Sequence, residues 1–334
     1  MSTYSVKACT ANLILVAPPI SNTDAAQFTK DDEAAIATLR QSHFYMICGR
    51  PKASFGTIAA LEDGSINVNI SLASGLQSAG CLHIQHMDFI HEAPDEFQLR
   101  IKANSEVLRI FVGSTLVFVT TPDDLLMRRG RRQRFIEGFD NHHELFTFDL
   151  LYVGIAKKNQ DSYSRLIERG HKARMDILAA EPQRSAGARV SDETYLLLFA
   201  IDPILVKTFG GDADFDDDDM DMSVDYHRII ADAEKAVINI FKPAYNVEQY
   251  KNYPHGVDGL FNQGFTGYTY AIAEGISLNT GYGTIKGSRD MEDLLLSNDA
   301  DFISVAGEVV TLHISGKDFN IPIDVPSEDS GASE

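Results

Sequence analysis

The run DYHRIIADAEKAVINIFKP, residues 225–243, constrains this chain more than any other. Residues three and four apart share a helix face. The neighbours of Glu234 at those distances are Ile230, Ala231, Val237 and Ile238, all apolar. A helix is therefore expected over 225–242, stopped by Pro243, with one carboxylate in the middle of the face that packs inward. Burying an unpaired carboxylate costs on the order of several kcal/mol. Glu234 needs a partner, and either a divalent metal at the edge of the core or an arginine would serve.

Most of the remaining chain reads as strands. FYMICG (44–49), SINVNISL (65–72), EFQLRIKA (96–103) and VLRIFVGSTLVFVTT (107–121) alternate or run apolar and are rich in β-branched and aromatic residues. Glu62-Asp63-Gly64 and Ala93-Pro94-Asp95 supply turns between them. A helix is expected at 30–42, a strand at 146–154, a helix at about 161–180 and a strand at 194–201. With 334 residues, two or three domains are expected: a β-rich N-terminal domain at 1–140, a mixed α/β domain at 141–252, a β-rich region at 253–325 and a disordered tail at 326–334.

A hydrophobic content of 44% with 23% charged residues suits a globular chain. The net charge of −19 argues against a general nucleic-acid coat protein. It leaves room for a local basic patch, because net charge describes the far field. Cys9, Cys48 and Cys81 fit no zinc spacing and read as free thiols in a reducing compartment. The N-terminal stretch lacks a basic n-region, its apolar run breaks at Pro18-Pro19, and no segment is long enough to span a bilayer. A cytoplasmic protein without membrane contact is expected.

Two sets of cations stand out. Arg165, Arg169 and Lys172 fall at i, i+4 and i+7 of the expected 161–180 helix, a face suited to a phosphate backbone. Arg128, Arg129, Arg131, Arg132 and Arg134 crowd into MRRGRRQRF and are expected to contact phosphates as well, the alternative being a charged surface linker or a partner for the acidic loop. The acidic run GGDADFDDDDMDM (210–222) is not an EF-hand: counting from Asp212, Asp217 stands where glycine is needed and Ser223 where glutamate is needed. It reads as a solvated insertion, with a DNA-mimicking autoinhibitory role as the sharper alternative.

Tyr152-Val153-Gly154, Arg165-Leu166 and EKAVINIFKPAYN, which runs from Glu234 to Asn246, occur in an order that resembles the GIY-YIG nuclease superfamily over residues 146–250. The resemblance implies an α+β fold with a GIY-YIG-like core around a small antiparallel sheet. It implies a metal-dependent endonuclease hydrolysing nucleic-acid phosphodiester bonds, with DNA the first choice of substrate and restriction, defence or DNA processing the setting. In that frame Glu234 holds Mg²⁺ or another divalent cation, Arg165 pairs with the phosphate, Tyr152 positions the attacking water, and Asn246 braces the glutamate. Two departures go with it. There is no clean GIY tripeptide, and EGFDNHHELFTFD (137–149) supplies no tyrosine, so either His142 or His143 is the candidate general base or the first strand lies elsewhere. The family's histidine position after the arginine is taken by Arg169, with His171 two residues on. The alternative reading is a catalytically degenerate binding or scaffold protein, with β-rich flanks that engage a protein partner or a second copy.

Overall fold

The computed structural model of the chain describes residues 6–29, 31–92, 98–208, 224–289, 297–317 and 320–322. The acidic run at 210–222, the turn at 93–95 and the tail at 326–334 lie outside the described residues.

The framework is a mixed sheet of 11 strands. From one edge the order is Gly283–Lys286, Ser277–Thr280, Thr147–Ile155, Phe44–Gly49, Thr194–Thr208, Val6–Leu15, Gly267–Ile272, Phe302–Ala306, Val309–His313 and Asn320–Pro322. The short strand Ile20–Ser21 is attached to Thr194–Thr208. Val6–Leu15 runs parallel to Gly267–Ile272, and Thr147–Ile155 runs parallel to Ser277–Thr280. The expected small antiparallel sheet of a GIY-YIG-like core is therefore not what this chain forms. The molecule is mostly β, and its sheet is large, mixed and curled. The physical reason is edge capture. Val6–Leu15 pairs over its whole length with Phe199–Thr208, and Ser277–Thr280 joins the start of Thr147–Ile155. Backbone groups that a three-stranded core would leave open are thereby bonded.

The apolar runs behave as strands covered on both faces. Phe44–Gly49 is buried at every position. Its side chains alternate between two cores: Phe44, Met46 and Cys48 enter the larger one, and Tyr45 and Ile47 the smaller. Ala25, Leu39, Leu151, Tyr163, Leu166, Ile177, Leu196 and Leu198 join them in the smaller core. The Tyr226–Phe241 helix is capped by the Asp225 side chain, which accepts from the His227 amide. It lays Ile229, Ile230, Ala233, Val237 and Ile240 on the larger core. Among the described residues no helix is long and apolar enough to cross a membrane.

The expected continuous helix over 161–180 is broken. A π-helical turn covers Ser164–Glu168, Gly170 takes φ +72°, and a separate helix follows at Lys172–Ala180. Arg165, Arg169 and Lys172 therefore do not share one helical face.

Residues 50–146 depart from the large sheet between two of its adjacent strands, Phe44–Gly49 and Thr147–Ile155. They form a four-stranded sheet (Ala53–Ala60, Ile66–Leu72, Gln77–Leu82, Ile136–Gly138), a three-stranded sheet (Leu99–Ala103, Leu108–Val112, Thr115–Thr120) and the helix Pro122–Gly130. Arg50 ties this insertion to the framework. Its side chain is 1% exposed and donates to Asp123 Oδ1 at 2.6 Å, to the Leu145 carbonyl at 3.1 Å and to the Tyr195 hydroxyl at 3.3 Å. The guanidinium also lies over the Phe148 ring, 4.5 Å from its centroid. A buried pair that loses one partner leaves the other charge uncompensated. Arg50→Met is therefore expected to lower the unfolding free energy by about 3–5 kcal/mol. Adding Asp123→Leu should recover most of that loss, as read by urea titration.

Candidate active site

The site starts from the pairing of Phe44–Gly49 with Thr147–Ile155. The antiparallel register sets Tyr45 opposite Gly154. An extra residue at Leu151 shifts the register between Leu150 and Tyr152, and such a bulge re-aims the side chain that follows it. Tyr152 thereby stacks on Tyr45, with ring centroids 6.3 Å apart and planes at 21°. Gly154 is what the two rings require. A Cβ there would lie 2.7 Å from the Tyr45 hydroxyl and 2.9 Å from Tyr152 Cε1. Tyr45 comes from the strand Phe44–Gly49, which the sequence alone does not connect with Tyr152.

Asn246 fixes the same strand. Its Oδ1 accepts from the Val153 amide at 2.9 Å, and its Nδ2 donates to the Val153 carbonyl at 2.8 Å. The side chain is buried and takes the place of a neighbouring strand. It braces the Tyr152-Val153-Gly154 segment.

Arg165 stands on the π-helical turn, a form that recurs at functional sites. Asp161 holds the start of the turn, accepting from the Ser164 amide at 2.7 Å and from its hydroxyl at 3.0 Å. The guanidinium is half-buried and its charge reaches Tyr45, Tyr152, His171 and Glu234. His171 precedes the Lys172–Ala180 helix. Its Nε2 lies 3.2 Å from the Tyr45 hydroxyl, and its ring centroid is 5.5 Å from that of Tyr152. Burial, then Arg165 and Arg174, push the imidazole pKa down, so the ring is neutral near pH 7.

Glu234 completes the cluster. It is half-buried, and its carboxylate accepts from the Ile155 backbone, at the end of the strand that carries Tyr152. Burial raises its pKa to about 7; Arg165 and Lys235 oppose the rise without cancelling it. The phenols of Tyr45 and Tyr152 are both pushed up by burial. Five side chains from four separate stretches thus converge.

Other expected residues go elsewhere. His142 and His143 lie against each other with ring centroids 4.2 Å apart and planes tilted by 39°, and burial drives their pKa values down to about 3 and about 4. The charges around them include Arg129 and Lys286, not Glu234 or Arg165. In the basic cluster, Arg128 pairs with Asp124 at 2.8 Å, Arg129 donates to the Gly138 carbonyl at 2.6 Å, and Arg132 faces Asp299 at 3.4 Å. Arg131 grips the fully buried Glu274 through two nitrogens at 2.5 and 2.9 Å. These guanidiniums bind the insertion together and to the framework. Arg134, Arg169 and Lys172 are exposed.

Among the described residues, no three or more His, Cys, Asp or Glu side chains gather to hold a metal ion. A preformed cage is absent there, but a single carboxylate fits Mg²⁺, which keeps waters and takes further ligands from a phosphate. Glu234 meets that requirement: it is anionic above about pH 7 and short of compensating charge.

The shift has a sign that solution measurements can read. The folded pKa is raised, so the stabilisation belongs to the protonated acid. It is complete below the ordinary carboxylate range and lost as pH rises through about 7. A cation at the carboxylate reverses that loss. Mg²⁺ is expected to raise Tm at about pH 8 and to leave it unchanged at about pH 5.5. Glu234→Gln should raise the metal-free Tm at about pH 8 and abolish the Mg²⁺ increment, as read by differential scanning calorimetry.

No family model, curated protein or solved structure matches this chain, so its chemistry has to be read from the side chains that meet around Glu234.

Proposed function

We propose that the chain is a metal-dependent endonuclease that hydrolyses nucleic-acid phosphodiester bonds with GIY-YIG-type chemistry. The observation that carries this reading is the convergence of Tyr45, Tyr152, Arg165, His171 and Glu234. Structural ion-pair networks also gather charges. They do not usually set a desolvated carboxylate near two phenols that in turn meet a neutral imidazole.

A divalent ion held by Glu234 would polarise the scissile phosphate and stabilise the leaving oxygen. Arg165 binds a non-bridging phosphoryl oxygen and offsets the charge that grows there. Tyr152 is half-buried and meets the attacking water; Tyr45 is fully buried behind it and points at His171. In the tautomer with the proton on Nδ1, His171 Nε2 accepts from the Tyr45 hydroxyl. As the water oxygen bonds to phosphorus, its proton passes to Tyr152, the Tyr152 proton to Tyr45, and the Tyr45 proton to Nε2. The bond from phosphorus to the leaving oxygen breaks, and that oxygen takes a proton from solvent. Arg165 disfavours an imidazolium in the free protein. An anionic phosphate on Arg165 removes that penalty when substrate is bound.

The rival reading is a non-catalytic binding or scaffold protein. It draws on the net charge of −19 and on the internal pairing of the Arg128–Arg132 cluster. The free thiols Cys9, Cys48 and Cys81 favour the cytoplasm for either function. Cleavage of plasmid and oligonucleotide DNA with Mg²⁺ separates the two. Glu234→Gln and Arg165→Ala are each expected to slow cleavage by about 10³-fold, and Tyr152→Phe by about 10²-fold. Wild-type protein that leaves DNA intact across divalent metals would favour the scaffold.

A further inference from the structure

The loop that follows the Glu234 helix builds a second feature beside the reaction centre. A cleft of about 450 Å³ opens there, lined by Lys235, Glu248, Tyr250, Lys251 and His255. Asp232, fully buried on the helix two residues before Glu234, sets the loop. It accepts from the Tyr253 hydroxyl at 2.6 Å, the Leu260 amide at 2.6 Å and the Tyr270 hydroxyl at 2.8 Å. Gly259 lies so close that a Cβ would overlap the Asp232 carboxylate.

Tyr250 is held in a form that a tyrosine rarely takes. Its φ is +47°, its amide donates to Glu248 at 3.1 Å, and its carbonyl accepts from Asn239 Nδ2 at 2.9 Å. A left-handed non-glycine residue kept by local bonds marks a place where position matters more than comfort. Its half-buried ring lies 6.0 Å from Lys235 Nζ, and its hydroxyl is near enough to feel Glu234 and Tyr152. Lys235 is largely buried and pairs with Asp258, whose side chain is 63% exposed. An accessible carboxylate on a buried ammonium is the arrangement that a phosphate oxygen can replace. Gly256 keeps the approach open, since a Cβ there would stand 3.1 Å from Nζ. Among the described residues Lys251 has no carboxylate partner.

We propose that this cleft is a nucleotide subsite: Tyr250 stacks an unpaired base next to the scissile phosphate, and Lys235 leaves Asp258 to hold that nucleotide's phosphate. The inference rests on the nuclease reading and refines it to substrates with an unstacked nucleotide beside the cut, such as single strands or overhangs. One aromatic face and one ammonium suit an unstacked nucleotide. A base locked in a duplex cannot reach the ring.

The test uses the full chain carrying Glu234→Gln, which holds substrate without turnover, and fluorescence anisotropy with labelled DNA. An oligonucleotide with a single-stranded overhang is expected to bind about tenfold tighter than its blunt duplex. Tyr250→Ala should erase that preference and Tyr250→Phe keep it, because the ring is what stacks. Lys235→Ala should weaken overhang binding by about tenfold and flatten its salt dependence by about 0.7 in slope. Asp258→Asn should tighten binding by freeing the ammonium. If the wild-type chain cleaves DNA in a Glu234-dependent way while Tyr250→Ala and Lys235→Ala bind overhangs unchanged, the subsite is wrong and the nuclease reading stands. If no Glu234-dependent cleavage occurs, both are overturned.

Discussion

Two tyrosine rings occupy the space that any side chain at position 154 would need. That contact depends on Phe44–Gly49 lying beside Thr147–Ile155 in one register, with one extra residue at Leu151. The rest of the site is referenced to this strand. The π-helical turn with Arg165 and the helix led by His171 follow it directly in sequence. The Tyr226–Phe241 helix packs on it and brings Glu234 to the Ile155 amide. Asn246 clasps Val153 between the two residues that matter most. A slip of one residue would turn Tyr152 to the opposite face and separate the phenols.

Arginines in this chain do three kinds of work, and composition does not sort them. Arg50 is sealed among aromatic rings and bonded to Asp123, where it holds the insertion onto the framework. Arg131 neutralises Glu274, which also accepts from the Leu15 amide, so one buried carboxylate joins the insertion to the central strands. Arg165 lacks a carboxylate bonded to it among the described residues and stands among groups that titrate. The partner, not the charge, separates the structural guanidiniums from Arg165.

The parts of the site legible in the sequence are those encoded locally. Glu234 betrays itself because four apolar neighbours surround it on one helix. Tyr152, Arg165 and Asn246 lie within short strings whose spacing survives folding. Tyr45 is not legible in that way. FYMICG reads correctly as a strand, but nothing local says that its partner begins beyond residues 50–146. The size of the sheet escapes for the same reason: an apolar run announces a strand and not its neighbours. The continuous helix over 161–180 fails at Gly170, whose left-handed backbone ends one turn and begins another. Two of the acidic partners in the arginine cluster, Glu274 for Arg131 and Asp299 for Arg132, are distant in sequence, so the string itself does not announce these pairs.

A chain of net charge −19 repels a polyanion at long range, so a nuclease reading must say where the attraction arises. Within a Debye length the balance is local. Arg165 and Lys235 face Glu234, and Asp258 shields Lys235. While Glu234 is protonated, that surface leans cationic but holds no metal. Once it ionises, the carboxylate cancels one of the cations, and a divalent ion on the proposed site would restore two positive charges at once. Phosphate and metal would then favour each other's binding through the same carboxylate, and linkage would make that preference mutual. The raised pKa of Glu234 follows from its burial, which Arg165 and Lys235 only partly offset. On the nuclease proposal, that shift would set the pH above which a strongly acidic protein gains its metal and, with it, its hold on an acidic polymer.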